Sequence, residues 1–66
     1  MIKLSPREME VLTLYAEKGR IKSVAESLET SVNTVKFQKN SIMRKLGARN
    51  TVELVFSAIR RGLVKV

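Results

Sequence analysis

Apolar residues along the chain recur at helical spacing, and no stretch alternates in the manner of a strand. Four helices follow. Ser5 is a good N-cap, Pro6 suits the first helical position and Glu8 completes a capping box, with Leu4 and Met9 placed as a hydrophobic staple. This first helix runs to about Lys18, presents Met9, Val11, Leu12, Tyr15 and Ala16 over a wide arc, and stops at Gly19. The second spans roughly 21–28 with Ile21, Val24, Ala25 and Leu28 on one side. Glu29 and Thr30 form a short turn, Ser31 caps a third helix from Val32 to Leu46, and Gly47 ends it. Asn50 caps a fourth, whose expected core stripe is Val52, Val55, Phe56 and Ile59, with Gly62 at its close. The expected fold class is all-α, and residues 1–66 read as a single domain without linker, repeat or low-complexity stretch.

The third helix has two distinct faces. At 100° per residue, Val35, Ile42 and Leu46 fall within about 40° of one another and form a buried seam, with Val32 and Met43 beside it. Opposite them, Asn33, Lys36, Phe37, Asn40 and Arg44 share about 100°, a stripe of donors with one aromatic ring in its middle. Such a face suits the major groove of a duplex. Lys donates to guanine O6 and N7, Asn pairs with adenine, and Phe presses on a thymine methyl. The competing reading folds Phe37 back onto the second helix. A short turn between the second and third helices fits a helix-turn-helix, although the glycine often found in that turn is missing.

Charge strengthens the nucleic-acid reading. The 66 residues carry 13 Lys+Arg against 6 Asp+Glu, a formal net charge of +7. Residues 1–30 balance Lys3, Arg7, Lys18, Arg20 and Lys22 with Glu8, Glu10, Glu17, Glu26 and Glu29. Residues 31–50 hold Lys36, Lys39, Arg44, Lys45 and Arg49 and no acid, and the tail adds Arg60, Arg61 and Lys65 against Glu53. The excess therefore sits mainly on the third helix, and a polyanion is the expected partner.

Other chemistry is poorly served. With no cysteine and no histidine, the chain lacks disulfides, the usual zinc ligands and the commonest proton shuttle. Glu8 and Glu10 point different ways on a helix, so capping and surface pairing explain them better than catalysis. There is no phosphate-cradling glycine loop. We expect no enzyme, no cofactor, no metal and no small-molecule ligand. The methionines read as core filling or, for Met1, initiation. No signal-peptide core and no long apolar run occurs, which points to the cytoplasm and away from membranes.

Leu4-Ser5-Pro6-Arg7-Glu8 with Glu10-Val11-Leu12, Val24-Ala25 with Leu28, Ser31 with Thr34-Val35-Lys36, and Ile42 with Lys45-Leu46-Gly47 occur in order over roughly Leu4 to Val64. Together they resemble the LuxR-type, or GerE-like, helix-turn-helix domain. That resemblance implies a four-helix DNA-binding domain of a bacterial or phage transcriptional regulator that dimerises, often through its last helix, on a pseudo-palindromic site. Carried over by position, Lys36, Phe37 and Asn40 face bases, joined by Asn33 from the same stripe. Lys22, Thr30, Ser31 and Thr34 stand near phosphates, with Lys39 and Arg44 as further backbone contacts. The family often has His where Gln38 stands and Arg where Thr51 stands, and Phe37 is bulky for its position. Lys39, at the margin of the seam, is expected to extend its amine outward.

The expected dimer surface is a smaller strip on the fourth helix, Leu54 and Ala58 with Ser57 and Arg61 beside them, on the side away from its core stripe. Two ordinary surface residues would look the same. Two rival functions remain. The Leu-Ser-Pro-Arg-Glu opening also resembles the promoter-reading last region of sigma factors, which implies RNA polymerase as a partner. A truncated regulator that sequesters family members as heterodimers is the other, though it would need no reading face. The chain shows no receiver or ligand-sensing domain, and its start at Met1 favours a complete small regulator over an excised fragment.

Overall fold

A computed structural model describes residues 3–64. Met1, read above as the initiator, and Lys65, counted in the basic tail, lie outside the described residues, as do Ile2 and Val66. Four helices follow in order: α1 (Pro6–Lys18), α2 (Ile21–Ser27), α3 (Val32–Leu46) and α4 (Thr51–Arg60). No strand occurs among the described residues. The helices start and stop where local chemistry directs. Ser5 Oγ accepts the Glu8 N–H at 3.1 Å while Glu8 Oε1 accepts the Ser5 N–H at 2.9 Å, a closed capping box. Ser31 Oγ caps α3 through the Thr34 N–H, and Asn50 Oδ1 caps α4 through the Glu53 N–H. Glu53 itself reaches back to the Arg49 N–H, one residue before the cap.

The turn between α2 and α3 explains how the chain manages without a glycine. The Glu29 N–H donates to the Glu26 carbonyl and the Thr30 N–H to the Ala25 carbonyl, the paired bonds of a Schellman ending. The same pair recurs after α3, from Gly47 to Arg44 and from Ala48 to Met43, where Gly47 supplies the required positive φ of 69°. In the α2–α3 turn that position falls to Glu29, at φ 54°. A left-handed non-glycine residue costs about 1–2 kcal/mol, partly offset by the freedom glycine would lose on folding. Glu29→Gly is therefore expected to stabilise the protein by roughly 0.5–1 kcal/mol. Thermal unfolding of the two proteins checks this, and a lower midpoint for the glycine variant would count against it.

The core joins Val11, Leu12 and Tyr15 of α1, Val24 and Ala25 of α2, Val35, Ile42 and Leu46 of α3, Leu54 and Ala58 of α4, and Val64 of the tail. Helix α3 packs against all three others, so its seam is enclosed as its pattern predicts. Helix α4 is turned the other way from the expectation above. Val52 and Phe56 are exposed at 76% and 66%, whereas Leu54, Ser57 and Ala58 are buried. The expected core stripe thus supplies only Val55 and Ile59, half-buried at its flank. The reason lies in side-chain size. Ala58 and Ser57 let α4 approach its neighbours closely while Leu54 fills the space between, whereas a Phe56 ring on that side would hold the helices apart. Ser57 is buried without loss because Arg61 Nε donates to its hydroxyl at 3.3 Å.

Candidate nucleic-acid interface

The stripe opposite the α3 seam is open. Asn33, Lys36, Phe37, Asn40 and Arg44 are all exposed, and the Phe37 ring, at 72%, does not fold back onto α2. Among the described residues neither Lys36 nor Arg44 pairs with a carboxylate. The backbone-contact candidates lie beside this stripe in the chain's order: Lys22 is exposed on α2, Thr30 is half-buried in the turn, and Ser31 and Thr34 are exposed at the start of α3. The Ser31 and Thr34 hydroxyls lie 2.9 Å apart, and either can donate to the other.

The basic field on this side is smaller than the sequence suggests. Lys45 Nζ donates to Glu8 Oε1 at 2.7 Å, and Arg49 lies 3.8 Å from Glu53. Lys39 is half-buried, and its amine sits 5.8 Å from the centre of the Tyr15 ring, within cation–π reach. The outward-extended Lys39 expected from the sequence is not what the structure has, because the electron-rich ring offers the amine a nearer partner. It is held toward α1 and apart from the Lys36–Arg44 stripe. Tyr15 in turn donates its hydroxyl to Thr51 Oγ1 at 3.3 Å, tying α1 to the start of α4.

Glu8 is the residue that sequence reasoning undervalued. Besides its cap, the carboxylate accepts the Ser41 hydroxyl at 3.0 Å and the Lys45 amine, both on α3. These bonds lower its pKa from 4.5 to about 2, the Lys45 hydrogen bond contributing most, the Ser5 N–H next, and burial opposing them. The side chain is 11% exposed, and the ordinary capping signal gave no hint of partners so distant in sequence. On α3, Gln38 keeps its Oε1 buried without a hydrogen-bond partner among the described residues. The expected dimer strip also needs correction. Leu54, Ser57 and Ala58 are enclosed in the core and cannot meet a second molecule, while Arg61 is exposed and engaged with Ser57. The large apolar side chains that α4 offers to solvent are Val52 and Phe56, about 160° round the helix from Leu54.

An exposed donor stripe on the second helix of a helix-turn-helix has a known counterpart. Residues 3–58 match the family described as bacterial regulatory proteins, luxR family. The chain belongs to the luxR family. Its LuxR-type domain is a DNA-binding module of transcription regulation and not an enzyme family. It is 43% identical over 53 residues to the transcriptional regulatory protein RcsB of Escherichia coli strain K12, covering 80% of this chain and 24% of RcsB. It is 44% identical over 62 residues to the oxygen regulatory protein NreC of Staphylococcus aureus strain JH9, covering 94% of this chain and 29% of NreC. The chain thus spans about a quarter of these relatives. The structure of Vibrio cholerae VqmA superposes with a TM-score of 0.91 at 30% identity, over 98% of this chain and 30% of that one. VqmA is described there as a dimer, of LuxR-type receptors, whose conformation shifts in the absence of target DNA. The all-α, four-helix LuxR-type fold expected from the sequence is the fold observed. No helix among the described residues is long and apolar enough to cross a membrane.

Proposed function

We propose that the whole chain acts in the cytoplasm as one sequence-specific DNA-binding unit, with α3 in the major groove and two copies on a pseudo-palindromic site. The open, acid-free stripe on α3 is the observation that carries this reading. Lys36 and Asn40, with Asn33 alongside, contact bases. Lys22, the Ser31 and Thr34 hydroxyls, Thr30 and Arg44 hold the backbone and set the register, and Lys39 contributes only if its amine leaves the Tyr15 ring. Neutralised phosphates release condensed counterions, so a dimer making roughly 6–10 such contacts loses about 10³–10⁵ in affinity between about 50 and 200 mM salt.

The second copy docks on the outer face of α4. Val52 and Phe56 are exposed there, beside a concavity of about 280 Å³ lined by Gly47, Ala48, Glu53, Phe56 and Arg60 among others. With a two-fold axis perpendicular to α4, the patch meets itself with the helices antiparallel, which brings the rings together and sets the opposite charges of Glu53 and Arg60 across from one another. The direct test is binding to a randomised duplex library followed by substitution. Lys36→Ala or Asn40→Ala is expected to cost about 1–3 kcal/mol and to relax preference at particular bases. Lys22→Ala is expected to weaken all sequences alike. A uniform loss for both classes would place base reading elsewhere.

A further inference from the structure

We infer that Phe37 reads the C5-methyl group of a thymine, so that one thymine in each half-site is recognised by its methyl and not by its hydrogen-bonding edge. This rests on the DNA-binding reading above and gives it a chemical specificity. The Phe37 ring is 72% exposed, and its neighbours on the stripe, Asn33, Lys36, Asn40 and Arg44, are exposed polar or cationic groups. An apolar protein surface covering that ring would bury those groups without partners, at a cost for each. A duplex satisfies both kinds of group together. Its major groove offers acceptors at guanine O6 and N7, adenine N7 and thymine O4, and its single apolar feature is the thymine methyl. The ring therefore has one apolar counterpart in the groove.

Helix geometry narrows where that thymine lies. Phe37 and Asn40 are three residues apart on α3, with Cβ atoms about 5–6 Å from one another. Successive base pairs rise about 3.4 Å, so the methyl lies within about two base pairs of the base that Asn40 reads. An adenine there, Asn being suited to its N6 and N7, makes an A·T-containing centre for the half-site. A cytosine at the Phe37 position lacks the methyl and leaves the ring facing polar edges.

Uracil for thymine removes that methyl and little else. A duplex selected by the purified chain from a randomised library is resynthesised with each thymine replaced in turn by deoxyuridine, and binding is measured by titration. One position per half-site is expected to weaken binding about fourfold, the worth of one buried methyl. Phe37→Ala is expected to bind the thymine and uracil duplexes equally at that position, and Phe37→Leu to retain part of the difference. The exposure of Phe37 means that both variants fold, which circular dichroism verifies, and the uracil scan of the unaltered protein stands without them. Indifference to uracil at every position, or the same loss in Phe37→Ala, would overturn the inference while leaving DNA binding intact. Failure to select any duplex would overturn both.

Discussion

Leu54→Ala is expected to cost about 2–5 kcal/mol, because the side chain is 1% exposed and its removal leaves a cavity between α4 and the rest of the core. A chain of 66 residues has a total stability of only about 3–10 kcal/mol, so the variant should lose a large share of it and unfold at a clearly lower urea concentration and temperature. Phe56→Ser behaves differently. The ring is 66% exposed, so the monomer's unfolding free energy from urea titration should change by no more than about 0.5 kcal/mol. In the dimer proposed above its effect falls on association, where loss of the ring should shift sedimentation toward monomer at tens of micromolar and remove cooperative operator binding. Denaturant titration of both variants separates the two faces of α4. A stable Leu54→Ala beside an unfolded Phe56→Ser would restore the helix orientation expected from the sequence.

Glu8→Ala is the second large effect, expected to cost about 2–3 kcal/mol. It removes the carboxylate half of the capping box, leaving the Ser5 N–H unpaired, and leaves Lys45 and Ser41 without their acceptor at the junction of α1 and α3. The same carboxylate gives stability a definite pH dependence. Its pKa is lowered on folding from 4.5 to about 2, so its contribution is complete above about pH 5 and is lost as pH falls through that window. Because Lys45 is 42% exposed, solvent screens the pair, and the contribution lost is on the order of 1–2 kcal/mol. Urea unfolding at pH 7, 4 and 2.5 measures it. Glu8→Gln should flatten the curve over this range while keeping part of the cap, and an unchanged acid profile in that variant would assign the sensitivity to another carboxylate.

These two predictions fall where sequence reasoning was weakest, and for physical reasons. Caps, stops and the α3 seam are local signals: Ser5, Ser31, Asn50, Gly19 and Gly47 act on groups within a few residues, and Val35, Ile42 and Leu46 define a narrow arc. The exposed stripe of Asn33, Lys36, Phe37, Asn40 and Arg44 was legible because it is the complement of that arc. Helix α4 was not, since Val52, Leu54, Val55, Phe56, Ala58 and Ile59 surround most of its circumference, and a stripe pattern there fits more than one rotation. Only the fit of Ala58 and Ser57 against neighbouring helices selects the buried side. The Glu8–Lys45 pair spans 37 residues, so no spacing rule reveals it, and Lys45 looked like one more free cation. Val64 joins the core through a tail that has no periodicity to read.

The third helix as the DNA-facing element is best tested by amide and side-chain NMR of the isotopically labelled chain, titrated with a duplex it selects. The largest shifts are expected at Asn33, Lys36, Phe37, Asn40 and Arg44, with smaller ones at Lys22 and Ser31. Shifts confined to α1 and α4, or no shifts at low salt, would contradict the assignment.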